Sequence, residues 1–599
     1  MSRSKFAYKK LALTVMLASG VLAGCSDSDG ISKKTDPTPT PPPAAKTIVN
    51  PVSLIFQSID TGVLTDQEIT FTLRGEQVQY LFVQGADENT DKAEANSKSY
   101  TAKSGTVQIS RVDGASVNEF TLELHATSPG FFATGKNILI PAQSAGVAGK
   151  EGASYDVFFT PLVPSNDEAP IAAAQETISS DNGGAVDREI TIATPPPADP
   201  DSDQAKAMAN TKVEMKIPVG TQLLDAAGDP VTGTVTANIV HFSNEPNGNA
   251  SNESVLDAFP GGLEPDIILD ANGDEDPALA GGGFISAGFT AIQLQNEQGD
   301  TVAQFDQPIT LTFDVPADTI NPETKAKIKT GETIPVWSYD ETTGRWKAEG
   351  EGTVGDLNAE TNTFTLTKNI THLSYYNLDY FWGSRCYADI KLEEVNGNDY
   401  NPRVIFTRAG GGWSKSQYIW GMGKHTFARI PADGAGKLQV VSRSNYRDGL
   451  IKSVTHKNGT AIAVANDGSI THNFCDLDGS TIKIESPETR TLNVSLESKC
   501  LDTGETKVQP GVVEVYSQNM RRYFGTVTPA IDSAASIRLV RAAYKLKGTI
   551  YTEKFGNQQV DQNVVVNKDT SVTLTFPIDK CGTTTGTTGT TGASGGSGG

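Results

Sequence analysis

The chain of 599 residues sets 49 Lys and Arg against 71 Asp and Glu, a formal net charge of −22, and holds 58 glycines, five cysteines and six histidines. That negative surplus repels a phosphate backbone, which excludes nucleic acid as a partner. The length suggests about four domains, and with glycine counted among the apolar residues each can bury a core.

Arg3, Lys5, Lys9 and Lys10 precede an apolar run from Leu11 to Val21. The run is too short to span a bilayer as a mature helix and has the parts of an export signal. It ends Leu22-Ala23-Gly24-Cys25, followed by Ser26. That ending resembles the lipobox of bacterial lipoproteins. The resemblance implies a signal peptide over residues 1–24, lipidation of Cys25, and, with no aspartate at position 26, sorting to the outer membrane or cell surface. Acyl chains contribute about 0.8 kcal/mol per buried CH₂, so the implied partner at this end is the membrane itself, without a transmembrane helix. Residues 25–46 are polar and proline-rich, an extended spacer of up to roughly 60 Å.

From residue 47 onward one local pattern recurs. Ile69-Thr70-Phe71-Thr72-Leu73, Phe120 to Leu124, Ile309 to Phe313, Phe364 to Thr367 and Val572 to Phe576 alternate apolar with polar side chains. A period of two with threonine on the wet face specifies half-buried strands. Turn signals recur between them, including Asn396-Gly397 and Asn458-Gly459. The fold class is therefore all-β, a tandem of immunoglobulin-like or transthyretin-like sandwiches joined by short linkers. The expected units are a sandwich over 47–165, an acidic linker over 166–210 broken at TPPPADPDSDQ, a larger sandwich over 211–384, two smaller ones over 385–482 and 483–581, and a disordered Gly/Thr-rich tail over 582–599.

The larger unit holds most of the individual features. His241-Phe242-Ser243 closes one strand pattern. In Asp270-Ala-Asn272-Gly-Asp274-Glu275-Asp276 the oxygen-bearing side chains of Asp270, Asn272, Asp274 and Asp276 alternate as in a calcium loop, since a hard cation takes six to eight oxygens. EF-hand grammar fails there, with Glu275 at the glycine turn and Gly281 where the bidentate glutamate belongs. A solvated acidic loop is the competing reading, and calcium is the one cofactor left open. Trp337, Tyr339, Asp340, Gly344 and Trp346 mark a strand, tight turn and strand, followed by His372-Leu373-Ser374. Together with IPVGTQLLDAAGDPVTGTV and Phe259-Pro260-Gly261, this order resembles the sandwich domains of cartilage intermediate layer proteins and, more distantly, netrin receptors. Some relatives of the latter cut their own backbone at His-Phe-Ser, where a serine hydroxyl attacks the preceding carbonyl and the histidine moves the proton. The triplet at 241 has the right letters but lies early; that at 372 is well placed but carries leucine. Each reads equally as a histidine and serine on a strand edge.

The flanking units are similar to carboxypeptidase-regulatory domains. Four cysteines remain after Cys25, and four allow three connectivities. Separations of 89 and 81 residues favour Cys386 with Cys475 and Cys500 with Cys581, each bridge closing one module in an oxidising compartment. The segment Trp413 to His425, with Tyr418 and Trp420, is rich in aromatic rings. Such rings serve either a glycan- or partner-binding surface or the sandwich core. No Gly-x-Ser-x-Gly, His-Glu-x-x-His, phosphate loop or dinucleotide fingerprint occurs. The sequence thus points to a non-catalytic, lipid-anchored rod of four sandwiches engaged in surface adhesion or scaffolding, with surface proteins or glycans as partners. The alternatives are a glycan- or calcium-dependent binding protein and an autoproteolytic sandwich.

Overall fold

The computed structural model describes residues 44–45 and 51–581, apart from 91–95, 113, 143–152, 165–170, 182, 197–207, 209–210, 246–253, 266, 341–342, 399, 433–434, 444 and 580. Cys25, the signal peptide, nearly all of the spacer and the tail lie outside the described residues. No described helix is long and apolar enough to cross a membrane.

The alternating segments form strands, and the chain is all-β throughout, a tandem of β-sandwiches. In Ile69–Arg74 the side chains of Ile69, Phe71 and Leu73 are buried while Thr70 and Thr72 are partly exposed, as a period of two requires. The first sandwich packs a sheet centred on Val52–Ser58 and Thr106–Arg111 against one centred on Ile69–Arg74 and Phe120–Thr127. Its outermost strands in sequence, Val52–Ser58 and Ala153–Phe159, lie side by side in parallel, so the module closes on its own ends.

The second unit is one sheet of twelve strands, running from Ala172–Ser180 at one edge to Ile190–Ala193 at the other. These edges are consecutive in sequence and are tied by bridges between Ser180 and Val186 and between Ala185 and Gln222. The sheet therefore curls round its own core, which includes Ile178, Ile192, Val213, Ile239, Leu311, Val336 and Leu378. Its outer face carries a second apolar set, Phe242, Phe284, Phe289, Trp337 and Trp346, which packs with Phe132 of the first sandwich and Trp413 of the third. Strand Gly283–Asn296 is covered on both faces and is accordingly near-continuous in apolar residues rather than alternating.

The expected linker over 166–210 is corrected by this sheet. Ala172–Ser180 pairs along its whole length with Gly233–Phe242, and Ile190–Ala193 pairs with Val213–Ile217. The acidic, proline-rich composition of the segment masked these strands, because their only large buried apolar side chains are Ile178, Ile190 and Ile192.

The third unit stacks two five-stranded sheets and the fourth two four-stranded sheets. Cys386 is bonded to Cys475, with Cα atoms 5.8 Å apart, and Cys500 to Cys581, at 5.7 Å. Cys386 lies on the opening strand Arg385–Glu394 of its module, and Cys581 just beyond the closing strand Thr570–Ile578, which runs parallel to Thr489–Cys500.

The four sandwiches do not extend end to end. Gly261 N donates to Gly135 O at 2.8 Å and Tyr375 Oη to Ala133 O at 3.0 Å, joining the first module to the second. Gly412 N donates to Asn244 O at 2.7 Å, joining the third to the second, and Arg443 Nη1 donates to Phe524 O at 2.7 Å, joining the third to the fourth. The fourth returns to the first: Thr106 Oγ1 and Gln108 Nε2 donate to the Glu514 carboxylate at 2.6 and 2.9 Å, and Gln84 Nε2 donates to Thr549 O at 2.8 Å. This closed cycle corrects the expectation of a rod. Thr106, Gln108 and Glu514 occupy strand positions that read as solvated, yet all three are buried between modules. The last described residue of the spacer, Ala45, donates its N–H to Gln509 Oε1 at 2.9 Å and so lies against the fourth module.

Candidate functional site

Strand Gly283–Asn296 pairs with Tyr375–Trp382 only as far as Ala291 and Tyr375, and beyond that point the sheet opens. Ser374 takes up the first step of the opening. Tyr339 N donates to Ser374 Oγ at 3.0 Å, and the same hydroxyl donates back to Tyr339 O, so a side chain continues the ladder for one residue. The opening is a cavity of ≈ 410 Å³ at the junction of two modules. Phe132 and Ala133 of the first sandwich close one side; Gln293, Val302, Ser338, Asp340, Lys347 and the triplet His372-Leu373-Ser374 form the rest.

Within this cavity His372 Nε2 stands 3.6 Å from Glu349 Oε1, which also accepts from Ser338 Oγ at 2.8 Å. Burial pushes the His372 imidazole below its ordinary pKa, with Glu349 opposing the shift. The carbonyl of His372 accepts from Tyr376 Oη at 2.7 Å. His372 is thus directed to Glu349 and Ser374 to the backbone of Tyr339, and no hydrogen bond joins the two among the described residues. The Ser374 proton is held by a carbonyl rather than by a base, which is the wrong arrangement for an activated nucleophile.

His241-Phe242-Ser243 lies at the end of strand Gly233–Phe242 with all three residues buried. His241 Nε2 is 2.8 Å from Thr211 Oγ1, and burial depresses its pKa to about 3. Ser243 Oγ accepts from Glu245 N at 3.2 Å, and the Phe242 ring stacks on Phe289 at 4.1 Å. Here too the histidine and serine have partners other than each other.

The acidic loop is a tight turn. Asp270 Oδ1 accepts from Asn272 N at 2.8 Å and Asp274 N at 3.0 Å, and these backbone donors hold its carboxyl below the usual range. Asp276 caps the short helix Pro277–Leu279 by accepting from Ala278 N at 2.9 Å. Among the described residues, only Cys500, Asp502 and Cys581 bring three His, Cys, Asp or Glu donors within 4.8 Å of one another, and both sulfurs are in a disulfide. Asp270 and Asp276 thus use their side-chain oxygens in turn and cap geometry.

The aromatic segment is corrected as a binding surface. Trp413 is 0 % exposed and packs near Phe474 in the core that joins the second and third modules. Tyr418 lies beneath the guanidinium groups of Arg443, at 4.4 Å, and Arg403, at 5.5 Å. Trp420 stacks on Arg443 at 4.2 Å, and a Cβ at Gly525 of the fourth sandwich would come within 3.0 Å of its ring. Gly525 stands at φ +149°, and its lack of a side chain is what lets the two modules approach there. The rings fill a core and a module junction.

Sequence reasoning missed a charged junction where three modules meet. Lys415 Nζ of the third is 2.7 Å from Glu264 of the second, Arg403, almost wholly buried, is 3.9 Å from Asp257, and Lys136 of the first, which donates to Asp156 O of its own module at 2.6 Å, has Asp257, Arg403 and Lys415 as charged neighbours. An arginine opening the apolar strand Arg403–Arg408 was the one local sign of it.

No family model matches the chain, and no curated protein matches it. Among solved structures, similarity extends to a leucine-rich repeat protein from Bacteroides thetaiotaomicron, at 14 % identity and TM-score 0.13 over 32 % of this chain. The match spans about a quarter of that protein, 26 % of its length. The shaft pilin SpaA from Lactobacillus rhamnosus GG matches at 9 % identity and TM-score 0.15, over 32 % of this chain and 98 % of the pilin. The major pilin subunit BcpA of Bacillus cereus matches at 9 % identity and TM-score 0.12, over 89 % of this chain and 99 % of the pilin.

Proposed function

We propose that the protein is an exported, lipid-anchored surface module that acts in adhesion or scaffolding without catalysis. The observation that carries this reading is the closed cycle of four sandwiches, whose histidines and serines at both candidate self-cleavage triplets have structural partners. Two disulfides that each span most of a module suit an oxidising compartment outside the cytosol. The membrane attachment rests on the sequence around Cys25. A lipid at that end would tether the chain ahead of Ala45, which sits on the fourth module.

Labelling of producing cells with an alkyne-bearing fatty acid tests the anchor. The parent chain incorporates the label and partitions with membranes, whereas Cys25→Ser incorporates none and is released. Labelling that survives the substitution overturns the anchor. Protease treatment of intact cells tests surface exposure, which predicts cleavage without prior lysis.

A further inference from the structure

We infer that the cavity between the first and second sandwiches binds a neutral polyhydroxy ligand of mono- to disaccharide size. This deepens the adhesive reading above by naming what the surface module holds. The volume of ≈ 410 Å³ falls within the range of small-molecule sites, and its position at a domain interface is where such sites concentrate.

The chemistry of the walls selects the ligand class. Lys347 lines the cavity and makes no ion pair among the described residues, while Asp340 lines it from the neighbouring strand with its carboxylate accepting from Thr343 N and Oγ1, and the Glu349 carboxylate lies behind Ser338 and His372. A ligand with net charge of either sign therefore meets a like charge within the same small space, and an uncharged one does not. What the walls offer instead is a mixture of hydrogen-bonding groups. Gln293 Oε1 is buried with no protein partner, and a buried acceptor left in that state is costly unless something entering the site satisfies it. Thr301 and His372 add a hydroxyl and an imidazole. Val302, Leu373 and Phe132 supply apolar wall for the C–H faces of a ring. Alternating hydroxyls on an apolar frame match that combination.

Because Phe132 and Ala133 come from one module and Gln293 and Lys347 from the other, an occupant bridges the two. Binding should therefore also stabilise the junction against heat.

The test is calorimetric titration and thermal unfolding of the purified mature protein with cellobiose, maltose, N-acetylglucosamine and galactose, each at roughly 10 mM or below, beside glutamate and lysine as charged probes. We expect at least one neutral sugar to bind and raise the Tm, and Gln293→Ala combined with Lys347→Ala to weaken it by about tenfold or more. The ligand-free Tm of the double variant should not fall below that of the parent, since Gln293 Oε1 has no partner to lose and Lys347 makes no ion pair among the described residues. Tighter binding of glutamate or lysine, no binding by any sugar, or undiminished binding by the double variant would each overturn the assignment. None of these outcomes bears on Cys25 labelling, so the two proposals fail separately.

Discussion

Asp379 is fully buried in strand Tyr375–Trp382, with Oδ2 accepting from Asn377 Nδ2 and Oδ1 without a partner. Burial pushes its carboxyl well above the ordinary range, with the Asn377 amide opposing the shift. Such a group stays protonated in the fold while the unfolded chain ionises near pH 4, so its contribution is fully present below that pH and is lost as pH rises towards the folded pKa. The loss runs at about 1.4 kcal/mol per pH unit. His241 has the opposite sign: depressed to about 3, it is neutral in the fold, and stability is lost as pH falls from the unfolded value of about 6.5. The two slopes oppose each other between pH 4 and 6.5, so the difference between variant and parent is the readout. Urea unfolding of Asp379→Asn should gain on the parent as pH rises above 4; a constant difference would contradict a raised Asp379 carboxyl. Trp413→Ala should cost about 3–5 kcal/mol, as loss of a fully buried indole does, and a variant as stable as the parent would return this ring to the surface.

At the scale of elements, each disulfide closes a loop that spans most of one module. Cys386→Ser with Cys475→Ser, or Cys500→Ser with Cys581→Ser, should lower stability by about 2–5 kcal/mol, read as an earlier urea midpoint; only the variant lacking all four cysteines should be insensitive to reducing agent. The turn at Asp270 has its acceptors committed to backbone donors, so EDTA or calcium should leave the Tm unchanged; a calcium-dependent rise would show that the loop opens to coordinate. Ile69–Arg74 and Thr570–Ile578 were legible as strands because one face is wet, and the period of two survives in their sequence. Gly283–Asn296 was not, because burial on both faces erases the alternation. Ala172–Ser180 was hidden for the reverse reason: its exposed Gln175, Glu176 and Thr177 look like linker, and only pairing with Gly233–Phe242 gives it a place. The cysteine spacing was readable because each bridge spans a single sandwich. The crevice was not, because its walls come from residues as distant as Phe132 and Ser374.

The whole molecule is defined by how its modules meet. The seam between second and third joins an apolar core, with Trp413, Phe284 and Phe289 in one continuous cluster, to the ion pairs of Lys415 with Glu264 and Arg403 with Asp257. The seam between fourth and first is largely polar, built on Glu514 with Thr106, Gln108 and Tyr516, with the Phe82 and Tyr551 rings in contact at 5.1 Å. No sequence pattern announces such a seam, because polar residues on a strand are read as facing water until a neighbouring module covers them. Glu514→Ala leaves the Thr106 and Gln108 donors without their acceptor and should cost about 1–3 kcal/mol. The closed cycle is the claim on which the rest stands, and small-angle X-ray scattering of residues 44–581 measures it directly. A closed assembly predicts a radius of gyration of about 25–30 Å, against about 45 Å for four sandwiches in line; the larger value, with the pair-distance profile of a rod, would contradict the account.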